Sequence, residues 1–142
     1  MFYAQSFSVS KKELSKIVKQ IYKTTHGRVQ EIMTKVKNAP NTGDLKPQDY
    51  TDYNAWIDYW HAEKKDWRNS LRINARFALY RCSKCGRIFT WGNFDGAHVV
   101  KENSQDKSLY IYPLCQECNR GKDETPFEEI DQLLLPMPQK KK

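Results

Sequence analysis

The 142-residue chain lacks any apolar run approaching the ~20 residues that cross a bilayer, so no membrane segment is expected. Its start, Met1-Phe2-Tyr3-Ala4, lacks the basic stretch, apolar core and small-residue cleavage site of a secretory leader. The expectation is an intracellular, cytoplasmic protein. No internal repeat is present, and the lysine tail Lys140-Lys141-Lys142 is the one low-complexity piece. Acids are scarce in residues 1–40, where only Glu13 and Glu31 oppose eight Lys or Arg. Between Thr51 and Gly86 there is neither Pro nor Gly, so nothing there forces a helix to stop. Cysteine is absent outside two short pairs.

What is present argues for a folded chain. Hydrophobic residues are 39% and aromatics 13%, far from the aromatic-poor composition of disordered segments. The length suits one domain, or one small domain with a helical extension. The formal charge is +7, and the first 40 residues carry +6 of it. Lys12, Lys16, Lys19 and Lys23 stand out there. Such a basic cluster fits the phosphate backbone of a nucleic acid, from which it releases counterions. It equally describes a solvated helix face that keeps a protein soluble.

The hydrophobic pattern of the first half is helical. Ser10-Lys11-Lys12-Glu13 has capping-box spacing, and Leu14, Ile17, Val18, Ile21 and Tyr22 follow on one face. Gly27 is a natural stop. A second short helix is expected from about Arg28, with Val29, Ile32, Met33 and Val36 in register. Residues 38–43 and Pro47 form a loop. A long helix is then expected from about Thr51, striped by Tyr53, Trp56, Ile57, Trp60, Trp67 and Leu71, with a break near Arg68-Asn69-Ser70. The stripe keeps helical phase, which favours core over a base-stacking platform. Ile130, Leu133 and Leu134 suggest a last short helix before Pro136. His26 and His61 have no motif context.

The chemistry lies further on. Cys82-Ser83-Lys84-Cys85 and Cys115-Gln116-Glu117-Cys118 are matched C-x-x-C pairs. In a chain without a secretory leader they read as four ligands of one tetrahedral structural zinc; two disulfides or a redox pair are the alternatives. No βαβ pattern supports a redox motif. Bound zinc supplies on the order of 10 kcal/mol of apparent folding energy. Between the pairs, Trp91–Val100 and Leu109–Leu114 are strand candidates joined by a polar stretch, and Gln116–Lys122 begins a helix.

Cys82-x-x-Cys85, Ala97-His98-Val99 and Tyr112-Pro113-Leu114-Cys115-Gln116-Glu117-Cys118-Asn119-Arg120-Gly121-Lys122 together resemble a zinc-containing HNH (His-Me finger) domain, over roughly residues 80–124. The resemblance implies an α+β fold: an N-terminal helical region (1–79) packed on a zinc-clamped ββα finger (80–135), then a flexible basic tail (136–142). It implies a DNA endonuclease in which His98 is the general base and Asn119 a metal ligand, with Lys122 touching phosphate. Mg2+ or another divalent cation would be the catalytic ion. Asp123 lies four residues after Asn119 and shares its face if the helix persists past Gly121, so the two could hold that ion together. Two positions depart from the family pattern. Ala97 stands where an acid or His usually precedes the base, and Asp95, of the same strand parity, is the candidate to stand in for it. Tyr110 stands where an Asn usually ties the hairpin loop. Three expectations follow: a metal-dependent DNA endonuclease, a catalytically silent zinc module that binds nucleic acid, or a module whose aromatic helix docks a protein partner or a second copy.

Overall fold

The computed structural model describes residues 32–74 and 76–142, together with Lys12 and Lys16, which are helical and exposed. The rest of the expected N-terminal helix, including Lys19 and Lys23, lies outside the described residues. Residues Met33–Lys142 form one unit of mixed α and β structure.

Its frame is a five-stranded antiparallel sheet of order β7-β1-β5-β6-β8. The strands are β1 (Met33–Asn38), β5 (Phe94–Lys101), β6 (Tyr110–Cys115), β7 (Phe127–Ile130) and β8 (Leu135–Pro136). A second sheet, β2-β3-β4, is built from three short strands: β2 (Arg72–Asn74), β3 (Leu79–Arg81) and β4 (Ile88–Thr90). The central hairpin pairs Phe94 with Cys115, Ala97 with Tyr112 and His98 with Ile111. Pro113 is tolerated within β6 because β8 pairs only with Tyr110 and Ile111 and leaves that stretch without a ladder on its other side.

The aromatic stripe forms helix α1 (Trp56–Arg68). Trp56 and Trp60 are buried, and Ile57, Tyr59 and Trp67 pack against the same core. Asp58 in the first turn and Lys65 and Arg68 in the last suit the helix dipole. The indoles keep hydrogen bonds as they are buried: Trp56 Nε1 donates to the Leu45 carbonyl at 3.0 Å and Trp60 Nε1 to the Leu133 carbonyl at 2.8 Å. The helix ends at Arg68, at the expected break, and passes through a 3-10 turn (Asn69–Leu71) into β2 rather than continuing.

Three segments expected as helix are strand or mixed. Met33–Asn38 is β1, because Val36 and Asn38 are drawn into pairing with β5 while Val36 also meets Phe127 of β7. Beyond Leu71 the chain enters the small sheet. Phe127–Ile130 is β7, followed by a 3-10 turn (Asp131–Leu133) and β8. Each of these runs is short, and sheet partners distant in sequence override its local helical phase. In the tail, the Lys141 amide donates to the Asp49 carbonyl at 2.8 Å and its ammonium pairs with Asp52 at 2.9 Å.

Helix α1 and strand β5 touch backbone to backbone. A Cβ at Gly96 would lie 2.5 Å from the Trp56 carbonyl carbon and 2.6 Å from the Ile57 amide nitrogen. Only glycine fits there. Replacing Gly96 with Ala should therefore cost about 3 kcal/mol of stability, measured by urea unfolding, while Gly92→Ala, whose Cβ meets nothing within 4 Å, should change it little.

Candidate functional site

The β3–β4 turn carries Cys82 and Cys85, and the junction of β6 with helix α2 (Gln116–Arg120) carries Cys115 and Cys118. Gly86 adopts φ +77°, and its amide donates to the Cys82 carbonyl at 2.8 Å, which closes the first knuckle. In the second, helical phase brings Cys118 round to the side of Cys115. The four sulfurs all lie within 4.8 Å of one another, and Cys85 and Cys115 are 3.8 Å apart. All four are free thiols. A tetrahedral ion with bonds of about 2.3 Å places its sulfur ligands about 3.8 Å apart. The cluster can hold one metal ion, and its all-sulfur donor set is compatible with structural zinc.

The residues between the first two cysteines anchor this centre to the large sheet. Ser83 Oγ lies 2.6 Å from the Tyr112 hydroxyl, and both hydrogen-bond the buried Glu129 carboxylate. Burial, then the Glu129 charge, pushes the Tyr112 hydroxyl well up, so it stays protonated and donates. Lys84 turns inward: its ammonium donates to Asn38 Oδ1 at 3.2 Å and to the Asp123 carbonyl. Asn38 in turn donates to the Cys118 carbonyl at 2.9 Å. Burial raises the Cys85 thiol, but hydrogen bonds from Arg87, Cys118 and Cys82 outweigh it and bring it to about 7. Burial pushes Cys115 and Cys118 up. A dication entering the cluster would displace those protons.

Beside this centre lies a cleft of about 780 Å³. The loop 39–43 and Trp56 wall it, and His98, Asn119, Arg120 and Lys122 line it. His98 is 8% exposed, with the Trp56 ring edge-on at 5.0 Å. Its Nε2 is buried and without a hydrogen-bond partner. Burial lowers the imidazole to about 4, so it is neutral at pH 7. Asn119 Nδ2 donates to Asp95 Oδ2 at 3.0 Å, and Arg120 Nε reaches the same oxygen at 3.2 Å.

The expected residues are thus brought together in part. His98, Asn119 and Lys122 line one cleft, with Asp95 bonded to Asn119. Asp123 does not join them. Helix α2 ends at Arg120 and Gly121 is extended (φ −72°, ψ 160°), so the helical spacing that would have aligned Asp123 with Asn119 is lost. Asp123 instead bonds the Thr125 amide and hydroxyl and pairs with Lys84. Ala97 is buried against the sheet. The Tyr110 hydroxyl bonds the Asp106 carboxylate within the β5–β6 loop. Arg120, Asn38 and Trp56 also line the cleft, a place that the sequence reading did not give them. Arg120 was signalled only by its place directly after Asn119, and the other two by nothing local.

The buried imidazole makes stability depend on pH. Its folded value near 4 lies below the ordinary 6.5. The neutral ring therefore stabilises the fold fully above pH 6.5, and that contribution is lost as pH falls toward 4. Between pH 6.5 and 4.5 the parent should lose roughly 2 kcal/mol more in urea unfolding than His98→Gln does; parallel profiles would contradict the burial of a neutral ring. No protein family, no curated protein and no solved structure matches the chain.

Proposed function

We propose that this protein is a zinc-clamped nuclease of the ββα (His-Me finger) kind that hydrolyses the phosphodiester bonds of DNA. The observation that carries the reading is the buried, unpartnered Nε2 of His98, which lines a cleft shared with Asn119, Arg120 and Lys122. An orphaned buried nitrogen on a residue whose cleft is also lined by two cations suits a group that accepts a proton from water while a phosphate lies alongside. The hairpin β5–β6 followed by α2 supplies the order of elements that such a unit needs. The Tyr110–Asp106 bond ties the hairpin loop, the task that an Asn performs in the family.

In this reading His98 takes the proton of a water whose oxygen bonds to phosphorus. The P–O bond to the leaving sugar breaks, and the leaving oxygen takes a proton from solvent. His98 begins neutral, and the negative phosphodiester raises its affinity for the proton. Arg120 and Lys122 pair with non-bridging oxygens. Asp95 and Asn119, joined through Asn119 Nδ2 and Asp95 Oδ2, each also carry a side-chain oxygen of the type a hard divalent cation takes. Such an ion would neutralise charge on the phosphate during displacement. The Arg120–Asp95 pair and the inert Ala97 favour a second reading, a silent zinc module that binds nucleic acid in the same cleft.

Two measurements test these statements. The purified chain should carry one zinc per molecule; Co2+ substitution should give the visible bands of a tetrathiolate site, and Cys115→Ser should lose them and lower the melting temperature. A melting curve indifferent to strong chelators would remove the structural ion. Supercoiled plasmid should be nicked by the Mg2+- or Mn2+-supplemented protein, and His98→Ala should cut the rate at least 100-fold. Equal nicking by both proteins would dismiss His98 as the base, and binding with no nicking by either would favour the silent module.

A further inference from the structure

The charge left over by the cleft is not scattered. Residues 67–94 contain Arg68, Arg72, Arg76, Arg81, Lys84 and Arg87 and no Asp or Glu. This stretch is the end of α1 and the whole small sheet. Two of the cations face inward: Lys84 toward Asn38, and Arg68 over the Tyr80 and Trp91 rings, 5.4 Å from each centroid. Arg76, Arg81 and Arg87 are exposed. Arg87 pairs with Glu117 at 3.0 Å, and Arg81 donates to the Gly86 carbonyl at 2.7 Å.

The strand register sorts the sheet into two faces. Tyr80 is buried and stands opposite Phe89, so Arg81 and its cross-strand partner Ile88 point the other way. Ile73 and Ile88 are each more than two-fifths exposed, and Phe77, in the turn between β2 and β3, is 60% exposed. The Arg76 guanidinium lies 5.5 Å from the centroid of the Phe77 ring. An exposed aromatic beside arginines, in a stretch without acids, is the composition of a platform for unpaired bases. A ring stacks on a base of any identity, and the cations track the phosphates. A duplex keeps its bases stacked on one another and cannot use such a ring in this way.

We propose that the outer face of the β2-β3-β4 sheet binds single-stranded nucleic acid, with a base on Phe77 and the backbone along Arg76 and Arg81. This surface is separate from the cleft and shares with the proposed function only the class of partner. The test uses the full-length, zinc-loaded chain and fluorescence anisotropy with a labelled 20-nucleotide strand of mixed sequence, alone or annealed to its complement. The single strand should bind more tightly than the duplex. Phe77→Ala should weaken single-strand binding about tenfold and leave duplex binding and zinc content unchanged. The double variant Arg76→Gln/Arg81→Gln should flatten the plot of log affinity against log salt by about 1.4, or about 0.7 per lost phosphate contact. Parental binding by Phe77→Ala, an unchanged salt slope, a preference for duplex, or equal affinity for a polyglutamate peptide would each overturn the proposal. The two readings fail separately. Nicking that depends on His98 but not on Phe77 or the arginines removes the sheet surface alone, and strand binding that depends on Phe77 without any nicking removes the hydrolytic reading alone.

Discussion

The fold turns on four sulfurs held within 4.8 Å of one another. Two belong to the turn of a three-stranded sheet whose strands are only three residues long, and two to the point where the large sheet hands over to a one-turn helix. Neither element is long enough to hold itself by local hydrogen bonding, since short hairpins and single helical turns are marginal in water. The four sulfurs could hold one common ion, which would join the two elements with bonds far stronger than packing contacts. The position of Asn119 follows from the convergence of the sulfurs, because this residue adjoins Cys118, and so does its approach to Asp95.

The cleft inherits its shape from a second constraint, the contact of α1 with Gly96. The helix start lies directly on the strand, which sets Trp56 against His98 and removes the imidazole from water. The same burial that leaves Nε2 unpartnered keeps the ring neutral. Ordinary packing and the candidate chemistry are therefore one arrangement, since the tryptophan that fills the core also walls the site.

The parts legible in the sequence were those encoded by spacing over a few residues. The two cysteine pairs converge, the aromatic stripe is a buried helix that ends at Arg68, and the strands flanking the polar stretch are β5 and β6. The parts that were not legible depend on partners far along the chain. Val36 fits a helical phase, but the edge of β5 and the arrival of β7 decide its state. Asp123 has the right spacing for a helix that stops three residues short of it. Asn38 reaches the second knuckle across 80 residues, and no local pattern announces that. The basic stretch 67–94 was hidden by averaging, because the acidic segments on either side cancel it in any count over the remainder of the chain.

The tethers of Ser83 and Lys84 carry one more consequence. These two side chains fasten the first knuckle to Tyr112, Glu129 and Asn38 through contacts that involve no sulfur. Emptied of its ion, the chelate would keep half of its geometry, with Cys82 and Cys85 still presented as a bidentate claw and the second pair left to close upon it. An arriving ion would then meet one pair of thiols already placed by these tethers, so that part of the ordering cost of its site would fall to side chains that never touch the metal.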